Sequence, residues 1–143
     1  MRQIVLDTET TGREPERGHR IIEIGAIVIQ DREITEETFH TYLNPERESE
    51  KGALAVHGLS QDFLQDKPLF SEIIDQFIEF LTREDKSTEV IIHNAKFDTG
   101  FFDAEVNQHN LNRGYQTYQP LKHYCQIVDS LKLARKMHPN QRN

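Results

Sequence analysis

Two acidic side chains, Asp7 and Glu9, follow an apolar run that begins at Ile4. If this segment is a β-strand, alternate side chains point to the same face of the sheet, so both carboxylates share one small space. Two negative charges so close together are unfavourable unless a cation neutralises them, and carboxylate oxygens are preferred ligands of Mg²⁺. The pattern therefore predicts a divalent-metal site. The alternative is a strand that ends at the surface with two solvated acids and a turn at Gly12.

A third acid, Asp98, follows a second short apolar segment, residues 90–92, which is rich in β-branched residues and predicts a buried strand. Asn94 is expected to cap the helix that begins next, and three phenylalanines supply the apolar face of that helix. Asp98 would then lie in the first turn, where the helix dipole favours the ionised carboxylate that a metal ligand requires. A solvated first-turn acid is again the alternative.

His57 stands at the expected end of a short helix over residues 50–56. Gly58 follows it, at the position where a left-handed helix cap is often needed. On the residues alone, His57 is either a site residue or an ordinary surface histidine.

The elements that must position these residues are three strands followed by a mainly helical half. Short polar connections between the strands favour antiparallel neighbours and predict a three-strand meander. The expected strands are 4–12, with the turn at Gly12, 21–29, 38–43, 90–92 and 124–128; helices are expected over 50–56, 60–65, 69–81 and 130–138 and after Asn94, and 107–122 is expected to be a loop. The apolar stripe of 69–81 repeats at helical spacing and predicts core packing.

Composition narrows the class of protein. A chain of 143 residues fits one α/β domain, and its net charge of −7 argues against a protein that coats nucleic acid with basic patches. An acidic nuclease remains compatible, because bound metal ions would supply the positive charge that phosphates meet. No apolar run reaches membrane-spanning length, and the single cysteine, Cys125, agrees with a reducing compartment, so the expected location is cytoplasmic and off the membrane.

Several segments together resemble one family. DTETTG, RIIEIGAI, VHG, VIHNAKFD and VDSLKLARKMHP, in this order, strongly resemble the proofreading epsilon subunits of bacterial DNA polymerase III, which are 3′→5′ exonucleases with four acidic residues and a histidine. The resemblance covers essentially the whole chain. It implies a ribonuclease H-like α/β fold, with a mixed five-stranded sheet, a three-strand antiparallel meander plus parallel strands, flanked by helices.

The resemblance also implies roles for the site residues. Asp7 and Glu9 match the first exonuclease motif and Asp98 matches the second, so all three are expected to be catalytic ligands of two divalent ions, Mg²⁺ or Mn²⁺. Asp7 and Glu9 would also contact the substrate. His57 is expected beside the terminal nucleotide, and Thr10 would leave room for the strand end.

Thr8 and Thr11 are expected to share that role with Thr10, whereas Asp129 matches a strand–helix junction and is expected to be structural. The implied reaction is two-metal hydrolysis that removes mismatched 3′ nucleotides from DNA. The implied partners are a single-stranded or frayed DNA 3′ end and, in the full-length protein, the catalytic and accessory subunits of DNA polymerase III. Two alternatives stay open: an RNA 3′-end-trimming enzyme of the same superfamily, and a non-catalytic module that binds a polymerase or nucleic acid.

The chain departs from the family pattern at its end. The third motif, a histidine followed five residues later by an aspartate, should lie several tens of residues after ARKMHP, but the sequence stops at Asn143. None of the other histidines considered, His93, His109, His123 and His138, matches the family's general base. We therefore expect residues 1–143 to be an exonuclease domain that lacks the part carrying the third motif, a fragment that is weakly active or inactive alone.

Overall fold

A computed structural model describes residues 1–84, 87–114 and 117–138. Its centre is a mixed five-stranded sheet in the order β3-β2-β1-β4-β5. The strands are β1 (Arg2–Thr10), β2 (Ile21–Gln30), β3 (Glu33–Tyr42), β4 (Glu89–Ile92) and β5 (Gln126–Asp129). The first three strands pair antiparallel, and β1, β4 and β5 run parallel. The expected meander and mixed sheet are therefore confirmed.

Five α-helices connect and cover these strands in the described residues: α1 (Lys51–His57), α2 (Gln61–Leu64), α3 (Phe70–Thr82), α4 (Ala95–Arg113) and α5 (Ser130–Met137). The predicted apolar stripe of α3 is buried in the main core, where Phe77 packs against Phe39 and Phe102 at ring-centroid distances of 5.2 and 5.8 Å. In the parts of the chain that the structure describes, none of the helices combines the length and the apolar character needed to cross a membrane.

The sheet brings the acidic segments together. β1 and β4 are parallel neighbours, with Ile4 opposite Val90 and Val5 opposite Ile91. The carboxyl ends of parallel strands meet at the same edge of a sheet, so the end of β1 and the start of α4 meet there. Distant sequence segments that carry Asp7 and Asp98 thus become spatial neighbours.

Two element boundaries differ from expectation by more than two residues. β3 begins at Glu33, not at residue 38, because Asp31 and Arg32 both have positive φ angles (51° and 70°), the geometry of a two-residue hairpin turn that lets pairing start at once. The segment 107–122, expected to be a loop, is helical as far as Arg113, where Gly114 in the left-handed region ends α4. Residues 115–116 of that segment lie outside the described residues.

The cap of α4 also differs from expectation. Asn94 precedes the helix but has a φ of 62° and makes no side-chain cap hydrogen bond. The carboxylate of Asp129 accepts instead, from the backbone N–H groups of Asn94 and Ala95, both at 3.2 Å. Asp129 also accepts from Leu131 at 2.9 Å and Lys132 at 3.2 Å, and so caps α5 as predicted.

One carboxylate therefore joins the first turns of two helices. Partial burial raises the pKa of Asp129, but these backbone hydrogen bonds outweigh burial and hold the pKa below its usual value. We expect Asp129→Ala to lower the free energy of unfolding by about 2 kcal/mol, because each lost cap costs about 1 kcal/mol. Asp129→Asn, which keeps one acceptor oxygen, should lose about half as much. Urea denaturation measures both, and an unchanged midpoint for the alanine variant would contradict the double cap.

Candidate active site

The alternating burial of β1 places Asp7 and Glu9 on one face. Ile4 and Leu6 are buried, whereas Val5 and Asp7 are exposed and Glu9 is partly exposed. The prediction that the two carboxylates share a face is confirmed. Partial burial, the Asp7 charge and the Glu23 charge together raise the pKa of Glu9.

Asp98 lies in the first turn of α4 and is only 5% exposed. Burial, followed by the charges of Asp7 and Glu9, raises the pKa of Asp98 to about 7. The helix dipole was expected to favour the ionised form of Asp98, but its effect is outweighed by desolvation and by like charges. The Thr8 hydroxyl opposes the increase without completing a hydrogen bond, since Asp98 Oδ2 and Thr8 Oγ1 are both buried and unpaired.

These carboxylates fit a hard divalent cation by their chemistry. The Asp7 charge raises the cost of ionising Glu9 and Asp98, the Glu9 charge adds to the cost at Asp98, and the buried oxygen of Asp98 has no partner, so a cation would relieve these penalties. Across residues 1–84, 87–114 and 117–138, no three His, Cys, Asp or Glu side chains are grouped so that they could hold a metal ion by themselves. Mg²⁺ does not need such a cage, because it keeps several waters and binds through one or two carboxylates plus phosphate oxygens.

A groove of about 470 Å³ begins at Glu9 and runs beside α1. Thr10 and Gly12 form its side on the β1 end, and Phe97 closes it from α4. The α1 side contributes Val56 and His57, with Glu50, Gly52 and Ala53, and Arg13 completes the lining. The groove thus joins one of the three carboxylates to the predicted histidine.

His57 lines this groove and has an unpaired ring nitrogen. Its Nδ1 accepts the Leu59 N–H at 2.9 Å, which leaves the proton of the neutral ring on Nε2. Nε2 is buried without a hydrogen-bond partner. Burial lowers the pKa of His57, although the Glu23 charge opposes this shift, so the neutral ring is favoured near pH 7. The predicted left-handed cap at Gly58 is confirmed, with φ at 69°.

The three threonines do not share one role. Thr10 lines the groove, but its hydroxyl donates to the Gly12 carbonyl at 2.6 Å. Thr8 lies against Asp98, and Thr11 is fully buried and hydrogen-bonds His19. Only Thr10 is therefore placed to leave room in the groove.

Sequence reasoning missed Glu23 as a site neighbour. It lies directly opposite Glu9 across β1 and β2, and its Oε2 is 2.6 Å from Nε2 of His40. The acidic residue within an otherwise apolar strand was a usable signal, but its register against Glu9 required the pairing. Phe97 was assigned to the apolar face of its helix, yet it also lines the groove.

Comparisons with known proteins place this arrangement in context. A family model described as exonuclease matches residues 4–143. DNA polymerase III subunit epsilon of Escherichia coli (strain K12) is 44% identical over 146 residues, which cover 99% of this chain and 56% of that protein. The same subunit of Rickettsia felis is 42% identical over 142 residues, covering 99% and 58%. The chain spans a little more than half the length of these curated relatives.

Solved structures show the same fold. Exonuclease X in complex with 5′ overhanging duplex DNA superposes with a TM-score of 0.68 at 21% identity, over 98% of this chain and 66% of that one. Product-bound exonuclease I superposes with a TM-score of 0.73 at 19% identity, over 99% and 33%. The predicted ribonuclease H-like fold is thereby confirmed.

Proposed function

Because the chain belongs to the exonuclease family, as its family match and its relatives show, we propose that it is the 3′→5′ exodeoxyribonuclease domain of a DNA polymerase III proofreading subunit. In this proposal it hydrolyses phosphodiester bonds at mismatched 3′ ends with two divalent ions, Mg²⁺ or Mn²⁺. Asp7, Glu9 and Asp98 are the proposed metal ligands. The polymerase III subunits are proposed as partners of the whole protein, and the cytoplasm as its location.

The observation that supports this proposal best is the unpaired oxygen of Asp98. A carboxylate whose pKa is raised to about 7 by burial, and further by the charges of Asp7 and Glu9, is unfavourable for the metal-free fold. Such an arrangement is expected where a cation binds. The groove that begins at Glu9 offers a nucleotide-sized space beside that carboxylate.

In this proposal, Asp98, His57 and the apolar side chains of the groove have separate roles. When bound, divalent ions supply positive charge on the scissile phosphate and its leaving oxygen. Asp98 would release its proton to solvent on cation binding, and its oxygens would then be available as ligands. His57 donates from Nε2 to an oxygen of the terminal nucleotide, and Val56 and Phe97 provide apolar surface for its base.

The test is digestion of matched oligonucleotides. A 5′-labelled DNA with a mismatched 3′ end, its paired counterpart and an RNA of the same sequence should be incubated with Mg²⁺ or Mn²⁺ and with EDTA. Stepwise loss of 3′ nucleotides from the mismatched DNA, faster than from paired DNA and abolished by EDTA, is expected because a mismatched end frays into a single strand more readily. Preferential RNA trimming would select the exoribonuclease alternative, and metal-independent binding without cleavage would select the binding module.

His57 should affect substrate binding more than turnover. We expect His57→Ala to raise the KM for a short DNA oligonucleotide by about five- to tenfold, because a hydrogen bond from the Nε2 donor is worth about 1 kcal/mol or slightly more. A smaller fall in kcat is expected. His123→Ala, an exposed histidine away from the groove, is the control. An unchanged KM in the His57 variant, with activity otherwise intact, would remove His57 from the substrate contacts.

A further inference from the structure

A buried histidine that the proposed reaction does not use connects the two sides of the groove. His19 is 5% exposed, although it lies between the turn after β1 and the start of β2. Its Nδ1 is 2.9 Å from the Thr11 hydroxyl, and its Nε2 is 2.9 Å from Oε1 of Glu50. Thr11 directly follows β1, and Glu50 is the residue before α1.

The direction of these hydrogen bonds follows from the neighbours. The Thr11 hydroxyl already accepts the Arg20 N–H at 3.0 Å, which leaves its own hydrogen to donate to Nδ1 of His19. Nε2 then carries the proton that the Glu50 carboxylate accepts. The Glu50 N–H donates to the Thr11 carbonyl at 2.7 Å, so a backbone bond runs parallel to the side-chain bridge.

The backbone at Gly12 packs closely against the His19 ring. A Cβ atom at Gly12 would lie 2.5–2.6 Å from three ring atoms of His19, closer than non-bonded atoms approach. Only glycine lets the backbone rest on the imidazole here. Gly12 also lines the groove, so the His19 ring packs against a residue of the groove wall.

Helix α1 depends on such contacts because it has no buried side chain. Hydrophobic packing, which fixes most helices, therefore contributes little to its placement. Yet α1 carries Val56 and His57, which line the groove. The bridge from Thr11 through His19 to Glu50 links the start of this helix to the end of β1.

We infer that His19 is a positioning residue, which holds α1 and therefore His57 at the correct distance from the acidic end of β1 for the 3′-terminal nucleotide to bind between them. This inference rests on the proposed function for the identity of the ligand. His19 acts through Glu50, so the two residues form one unit. Their substitutions should be non-additive.

The test compares His19→Phe, Glu50→Ala, the double variant and Glu50→Gln. His19→Phe keeps a ring beneath Gly12 but loses both hydrogen bonds, and Glu50→Gln keeps an acceptor oxygen. His123→Phe, at an exposed histidine, is the matched control. Two quantities are measured: amide hydrogen exchange of residues 51–57 relative to β1 and β2, and the Kd for a ten-nucleotide oligothymidylate with a free 3′ end in Ca²⁺.

Both single variants should raise exchange in residues 51–57 and the Kd by about tenfold, with β1 and β2 unchanged. The double variant should be no worse than either single variant, and Glu50→Gln, which keeps the acceptor, should leave exchange in residues 51–57 as in the wild type. The inference is overturned if exchange in residues 51–57 is unchanged in either single variant, or rises only together with exchange in β1 and β2. If the unmodified chain binds no oligonucleotide, the proposed function fails instead, while the exchange data still decide whether the bridge holds α1.

Discussion

Replacement of Asp98 with asparagine is expected to reduce the rate of 3′-nucleotide removal by about a thousandfold, the upper range for loss of one group that stabilises transition-state charge. Asparagine has nearly the same shape as aspartate, so the first turn of α4 should be retained. It cannot supply the negative charge that a divalent ion needs, and it leaves Asp7 and Glu9 without their third carboxylate. Single-turnover digestion of the mismatched oligonucleotide in Mg²⁺ and in Mn²⁺ measures the loss.

Asp103→Asn is the matched control for this experiment. Asp103 is another aspartate of α4 whose pKa is raised by burial, but its carboxylate accepts the Leu121 N–H at 2.9 Å, whereas one oxygen of Asp98 is buried without a partner. The rate of 3′-nucleotide removal by Asp103→Asn should stay within about twofold of the wild type, as for a substitution away from the reacting groups. Near-normal activity of the Asp98 variant would show that the proposed ligand set is wrong. A comparable loss in both variants would point to a damaged helix.

The sequence predicted the parts of this site that depend on local geometry. Alternation along β1 was enough to place Asp7 and Glu9 on one face, because strand side chains repeat every two residues. The position of His57 at a helix end followed from Gly58 in the same way. Each of these inferences needs only residues that are neighbours in the chain.

The environment of Asp98 could not be predicted in this way. Its position in the first turn of α4 was correct, but its ionisation depends on burial and on β1, about 90 positions earlier in the chain. The predicted cap of α4 was wrong for a similar reason. The expected residue, Asn94, is a neighbour in the chain, whereas the observed one, Asp129, is supplied by a neighbouring strand. The role of His19 is also hidden in the sequence, since its partner Glu50 is 31 positions away.

The raised pKa of Asp98 predicts an unusual dependence of stability on pH. Its pKa is 3.8 for the ordinary carboxyl and about 7 in the fold, so between these values the folded chain binds more protons than the unfolded chain. The contribution of Asp98 to the free energy of unfolding should therefore fall as pH rises from about 4 to 7, and Asp98 should be most costly above pH 7. At 1.36 kcal/mol for each pKa unit, this contribution amounts to about 4 kcal/mol at most.

Urea denaturation in EDTA at pH 5 and at pH 8 tests this prediction by comparing the wild type with Asp98→Asn. The variant should be more stable relative to the wild type at pH 8 than at pH 5, because it never bears the charge that the buried site disfavours. Asp62→Asn, on the exposed first turn of α2, should leave the wild-type pH dependence unchanged. Mn²⁺ at pH 8 should recover the wild-type stability and have little effect on the Asp98 variant, since a cation relieves repulsion only where the carboxylate is present. Parallel pH profiles for the wild type and Asp98→Asn would mean that the carboxylate is already well solvated, and the reason for expecting a cation beside it would be lost.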